Sequence, residues 1–197
     1  MKLNDKKLFI IILMIYIFIP IMIYFNDFLY EIKFYLLTGL GLLIYLLLRL
    51  NKVNNKQLGI TKINTVKSIK RNLIYSSIFV VGIILLKIFN LDKFDSNETL
   101  LFYFFYIFIS CPIQEFLYRG VFGYFENKIF SNKIIIIILS SVCYSFVHII
   151  YKDVLTCVLT FIMGIVWYHF YKKDNNLIGV SISHSILGIL TILLGIV

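Results

Sequence analysis

The sequence is dominated by seven long apolar segments separated by short polar links. A helix needs about 20 apolar residues to cross a bilayer, within a range of about 17–25. The segments are continuous runs, whereas the strands of a membrane barrel would alternate apolar and polar residues. The sequence therefore predicts an all-α fold, a polytopic transmembrane helical bundle with about seven spans. We place these spans at residues 8–26, 34–49, 72–90, 99–121, 133–151, 154–171 and 177–197.

Composition supports a membrane protein over a soluble one. Hydrophobic residues make up 60% of the chain and charged residues 15%, against about 45–50% and about 25% in soluble domains. A soluble core of this size could not bury so many large apolar side chains, whereas a bilayer solvates them directly. The sequence has no internal repeat and no low-complexity linker, so we expect residues 1–197 to form a single membrane domain.

The charged residues lie between the apolar segments and indicate the topology. The link at residues 50–71 is rich in lysine, and by the positive-inside rule it lies in the cytoplasm, which also places the N-terminus inside. The net charge of +9 follows from this distribution, so we predict no nucleic-acid partner. We expect the link to form a basic interfacial helix that attracts anionic headgroups, which makes membrane lipid a partner. The bias towards Ile, Lys, Asn, Phe and Tyr indicates an AT-rich genome and so a multi-pass protein of a bacterial plasma membrane.

Ionisable residues inside spans are costly and therefore indicate functional sites. Glu115 and Arg119 have an i, i+4 spacing that places both side chains on one helical face, where the guanidinium can hold the carboxylate ionised. A structural ion pair without chemistry is the alternative interpretation. His169 lies among Trp167, Tyr168 and Tyr171, which we interpret as an interfacial aromatic belt. The complete set of such residues is Lys87, Glu115, Arg119, His148, His169 and His184.

Glu115, His148 and His184 lie on three different predicted spans. Two histidines and one carboxylate can hold a catalytic zinc and leave one position open for water. The same three residues can also act without metal, with the glutamate as general base and the histidines binding the oxyanion. The residues alone leave both alternatives open, a divalent metal such as zinc or no cofactor.

Three motifs in residues 108–190 resemble those of the CPBP family, also called the Abi or CAAX-protease family. The first is the stretch 114–120, in which Gln114 and Glu115 are followed by Arg119 and a glycine. The second is an aromatic residue four positions before His148, and the third surrounds His184. The resemblance implies an intramembrane endopeptidase that hydrolyses a peptide bond of a membrane-associated peptide or protein in or near the membrane. It also implies that these five residues form the catalytic site.

Two positions depart from the family motif. The residue that activates water in the family is glutamate, and here it is Gln114, which cannot act as a base. The asparagine that the family places after the last histidine is Gly188 here. Glu115 lies one residue further on, about 100° around the helix. The alternative prediction is therefore a catalytically inactive family member that acts as a bacteriocin-immunity protein or another binding protein.

Overall fold

The structure is a computed structural model that describes residues 4–94 and 97–196. These residues form ten α-helices and no strand. Two 3₁₀ turns cover Asn55–Leu58 and Val147–Tyr151, and two π-helical turns cover Tyr106–Ser110 and Phe116–Gly120. The α-helices are α1 (Asp5–Tyr24), α2 (Asp27–Glu31), α3 (Lys33–Leu50), α4 (Thr65–Ile88), α5 (Leu100–Phe105), α6 (Cys111–Glu115), α7 (Val121–Ile129), α8 (Lys133–Phe146), α9 (Val154–Asp174) and α10 (Leu177–Leu193).

The predicted transmembrane helical bundle is confirmed. Within the described residues, six helical runs are long and apolar enough to cross a membrane, and α10 is a shorter apolar helix that makes a seventh span plausible. Val197, at the end of the last predicted segment, lies outside the described residues. The inward position of the N-terminus stays a prediction. The six runs are Asp5–Tyr24, Lys33–Leu50, Thr65–Ile88, Leu100–Glu126, Lys133–Tyr151 and Val154–Asp174.

Polar residues in the links define where the helices begin. The side chains of Asn26, Thr99, Asn132, Asp153 and Asn176 each accept a hydrogen bond from a backbone N–H in the first turn of the helix that follows. Such caps satisfy donors that have no partner inside the helix. The short links are therefore built from the residues that stop one span and start the next.

The fourth span is one continuous run with two irregular turns. α5, α6 and α7 are separated by the two π-helical turns, and Pro112 lies at the start of α6. Proline has no N–H and crowds the preceding turn, so a widened turn before it accommodates the ring. Each π-helical turn rotates the side chains that follow it. This irregular geometry sets the directions in which Gln114 and Glu115 point from the end of α6.

The basic link does not form the predicted interfacial helix. Residues 51–64 contain only the 3₁₀ turn and irregular turns, and α4 already begins at Thr65. The link is tied to the start of α10 instead, because the side chain of Asn176 donates to the carbonyls of Thr61 and Ile63 at 2.8 and 2.9 Å. Asn175 and Leu177 likewise donate to the carbonyls of Lys56 and Gly59, so tertiary hydrogen bonds fix the link in its irregular course.

The bundle brings the second half of the chain together around the irregular fourth span. α8 packs against α9, α10 packs against α4, and both π-helical turns and α6 contact α10 or its neighbours. α1 crosses the 3₁₀ turn that follows α8. The end of α6, the end of α8 with the turn after it, and the middle of α10 carry the predicted site residues and consequently lie close to one another.

Candidate functional site

Glu115 and Arg119 form an ion pair that is shielded from solvent. Arg119 Nε lies 3.1 Å from Glu115 Oε2, and both side chains have 0% exposure. The guanidinium also lies 4.2 Å from the ring centroid of Tyr144 and 5.3 Å from that of Trp167. None of its nitrogens makes a hydrogen bond to a described residue. Its charge is therefore balanced by one carboxylate and by two aromatic faces.

His184 completes this group from α10. Its Nδ1 lies 2.7 Å from Glu115 Oε1, and because a carboxylate only accepts, the imidazole donates. Its Nε2 lies 3.2 Å from the hydroxyl of Tyr144. The ring stacks on Trp167, with centroids 4.6 Å apart and planes at 20°. We call Glu115, Arg119, Tyr144, Trp167 and His184 the Glu115 cluster.

Trp167 is itself held by a hydrogen-bond chain that reaches another helix. Its Nε1 donates to Ser183 Oγ at 2.8 Å, and that hydroxyl lies 2.6 Å from Ser76 Oγ on α4. All three side chains are buried. The chain fixes the indole plane against His184 and so restricts the imidazole to one orientation.

His148 faces a different space. It lies in the 3₁₀ turn after α8, and its Nδ1 donates to the backbone carbonyl of Tyr144 at 2.7 Å. The ring lines a cavity of about 70 Å³ that is bounded by α1, α3 and α6. A space of that size can hold one or two water molecules. We call it the His148 cavity.

Gln114 lines the same cavity. Its side-chain Nε2 donates to Ser110 Oγ at 3.0 Å. The amide oxygen takes no part in this hydrogen bond. The side chain is partly exposed, whereas that of the adjacent Glu115 is buried. Apolar residues of α1 and α3 form most of the wall, with Lys33 and Tyr151 also contributing.

The predicted site residues thus divide between two adjacent regions. Glu115, Arg119 and His184 meet in the Glu115 cluster, whereas Gln114 and His148 line the His148 cavity. Tyr144 connects the two regions, because its hydroxyl contacts His184 and its backbone carbonyl accepts the hydrogen bond from His148.

The three predicted metal ligands are not arranged as a metal site. Within the described residues, no group of three or more His, Cys, Asp or Glu side chains could hold a metal ion. Each oxygen of Glu115 faces His184 or the guanidinium of Arg119, and a fixed positive charge at that distance competes with a metal cation. In this arrangement the donor set does not fit zinc.

The interpretation of Trp167 as part of an interfacial belt is wrong. Trp167, Tyr168 and Tyr171 are 3%, 0% and 1% exposed, because this face of α9 packs into the bundle. A signal for this was present in the sequence. The small residues Thr160 and Gly164 precede Trp167 at helical spacing, and they are buried on the same face of α9. The exposed residue of the group is His169.

Gly188 allows a side chain from another helix to take the space beside it. A Cβ added at this position would lie 2.0 Å from the hydroxyl oxygen of Tyr106. The Tyr106 ring in turn lies edge-on to His184, with centroids 6.0 Å apart. The hydroxyl of Tyr106 therefore occupies the space into which the family's asparagine would project. The sequence alone could not reveal this exchange, because the two residues are on different spans.

A comparison with known protein families matches the part of the chain that carries the predicted site residues. Residues 96–190 match the family model described as type II CAAX prenyl endopeptidase Rce1-like. The matched range contains the Glu115 cluster and every predicted site residue. It leaves α1 to α4 outside, and with them the α1 and α3 walls of the His148 cavity. Neither the curated proteins nor the solved structures gave a match to this chain.

Proposed function

Because this chain belongs to the type II CAAX prenyl endopeptidase Rce1-like family through residues 96–190, we propose that it hydrolyses a peptide bond of a membrane-associated substrate at the His148 cavity. The family is one of intramembrane proteases, and the chain is a multi-pass membrane protein. What is proposed beyond that is the place of the reaction and the residues that carry it out.

One observation carries the proposal: His148 lines the cavity, and Glu115 does not. Its Nδ1 carries the proton donated to the Tyr144 carbonyl, so in the neutral ring Nε2 keeps a free lone pair. A neutral imidazole in contact with water is a suitable general base near neutral pH. Glu115 is unsuited to this role, because both of its oxygens face cationic or donating groups inside the cluster.

The reaction then needs only groups of this chain and one water molecule. The water oxygen attacks the scissile carbonyl carbon while His148 Nε2 takes a proton from the water. Collapse of the tetrahedral intermediate breaks the C–N bond, and the imidazolium returns the proton to the leaving nitrogen. The products are a carboxylic acid and an amine.

Gln114 is suited to position the water in this scheme. Its amide oxygen can accept a hydrogen bond from the attacking water, and the second N–H of the amide can donate to the developing oxyanion. It cannot take the proton. The Glu115 cluster acts indirectly, by fixing Tyr144 and with it the orientation of His148.

A second candidate function is binding without hydrolysis, including bacteriocin immunity. The specific observation in its favour is that no carboxylate of a described residue lines the His148 cavity, whereas the family places a glutamate where this chain has Gln114. In this case the cavity would recognise a membrane partner and leave it intact.

The test is peptidase activity of the full-length protein in liposomes, measured on a library of quenched fluorescent membrane-anchored peptides. We expect His148→Gln to lower the rate by about 10²–10⁴-fold, the usual contribution of a general base. His169→Gln is the matched control, because this histidine is exposed and outside the cavity. Full activity in His148→Gln would contradict the proposal, and activity only in Gln114→Glu would support the second candidate.

The zinc set of Glu115, His148 and His184 stays a prediction with its own test. Our assignment expects the parent activity to survive a chelator. Activity lost with the chelator and restored by added zinc, together with stoichiometric metal in the purified protein, would support zinc and contradict His148 as the base.

A further inference from the structure

A large apolar groove lies on the other side of the fourth span from the His148 cavity. Its volume is about 1170 Å³, and α3, the stretch 107–116 and α10 form its walls. Several wall residues are strongly exposed, among them Leu42 at 59% and Phe108 at 68%. In a membrane this groove opens towards lipid, since most of its wall residues are apolar and several of them are exposed.

One end of the groove is polar and cationic. Thr61 and Lys62 line it there, and both belong to the basic link. Residues 51–71 contain six basic and no acidic side chains. Lys62 is exposed and takes part in no ion pair with a described residue. Hydrogen bonds from Asn176 to the neighbouring carbonyls fix the link over the groove end.

The length of the groove distinguishes between occupants. The α10 residues in its wall run from Leu177 to Ile189, a rise of about 18 Å. The hydrocarbon core of a bilayer is about 30 Å thick, so one leaflet is about 15 Å. The groove therefore matches an acyl chain in one leaflet. A transmembrane helix docked along it would need twice that length.

We propose that this groove is a binding site for an anionic phospholipid, with its phosphate beside Lys62 and an acyl chain along α10. The apolar walls and the leaflet-length reach suit the chain, and the unpaired ammonium suits the phosphate. A zwitterionic lipid fits the walls equally well, but its headgroup carries its own cation and gains less from Lys62. The site is independent of the proposed hydrolysis, because neither Gln114 nor His148 lines it.

The test is lipid retention by the full-length protein in neutral detergent, measured by native mass spectrometry with dioleoylphosphatidylglycerol or dioleoylphosphatidylcholine. One lysine near an anionic headgroup contributes about 1 kcal/mol, which corresponds to about a fivefold change in affinity. We therefore expect Lys62→Gln to lower phosphatidylglycerol retention about fivefold and to leave phosphatidylcholine retention unchanged. Lys52→Gln is the matched control, because it removes the same charge from the same link at a position outside the groove.

A second variant tests the chain-binding part. Ile186→Trp adds bulk to the groove wall at a residue that is 39% exposed, and we expect it to lower retention of both lipids. Equal loss in Lys52→Gln and Lys62→Gln would overturn the proposal, since it would indicate diffuse attraction to the whole link. Equal retention of the two lipids by the parent, or unchanged retention in Ile186→Trp, would overturn it as well.

Discussion

Gln114 and Glu115 are neighbours in sequence but belong to two different environments. Glu115 is buried, and its oxygens face His184 and Arg119. Gln114 is partly exposed to a cavity that also contains His148. A rotation of about 100° between adjacent helical residues is enough to separate them. The comparison teaches that the Glu115 cluster has the properties of a structural core, whereas the His148 cavity has the free atoms that chemistry needs.

The strongest test of the difference between the Glu115 cluster and the His148 cavity is to remove one partner of the buried ion pair. Arg119→Leu leaves the Glu115 carboxylate buried without its cation, and we expect a loss of about 3–5 kcal/mol in the free energy of unfolding. Gln114→Leu is the matched change in the cavity. It removes only the hydrogen bond to Ser110, so we expect a loss of about 1 kcal/mol.

Denaturant unfolding in detergent, followed by circular dichroism, measures both variants. Trp167 is the single tryptophan of the chain and stacks on His184, so its emission reports on the cluster directly. Replacing both charges, as Glu115→Leu with Arg119→Leu, should cost less than Arg119→Leu alone. Equal losses in Arg119→Leu and Gln114→Leu would show that the two regions do not differ in the way proposed.

The next effect concerns Gly188, where this chain departs from the family motif. Gly188→Asn would place a Cβ 2.0 Å from the Tyr106 hydroxyl, and such overpacking costs about 1–3 kcal/mol. Tyr106→Leu should relieve the cost, because it removes the phenol that fills the space. Gly82→Asn is the control, since a Cβ at that helical position meets no atom of the described residues within 4 Å. If Gly188→Asn lowers the free energy of unfolding by the same amount in the Tyr106→Leu background, the Tyr106 hydroxyl does not fill the space of the family's asparagine.

The helices and the Glu115–Arg119 pair could be predicted because they depend on local sequence. Span length follows from runs of apolar residues, and an i, i+4 pair meets on any helix. The partner of Glu115 could not be predicted in the same way. His184 lies 69 positions further along the chain, and nothing local distinguishes a histidine that donates to a carboxylate from one that faces a cavity.

The errors came from segments whose environment depends on tertiary contacts. The link at residues 50–71 has a basic composition that suits an interfacial helix, but Asn176 binds two of its backbone carbonyls, those of Thr61 and Ile63, and holds them outside a helix. Trp167 has the composition of a membrane interface around it, but Ser183 supplies the partner that its indole N–H needs inside the bundle. In both cases a polar partner from α10 or the loop before it changes the outcome.

The smallest expected effect lies in the link after the turn that carries His148, where Asp153 caps α9. Burial opposes ionisation of this carboxyl, but hydrogen bonds from Lys93 and Thr156 outweigh it and lower its pKa from 3.8 to about 2. The pair is partly exposed, so its contribution is at most about 1 kcal/mol. Because the folded-state pKa is the lower one, this stability is complete above about pH 4 and is lost as the pH falls towards 2. We expect the free energy of unfolding to fall over that interval in the parent and less in Asp153→Asn, with Lys93→Gln in between because the Thr156 contacts remain. A parent and an Asp153→Asn variant with the same acid dependence would contradict this expectation, since it would show that the capping carboxylate contributes nothing to stability.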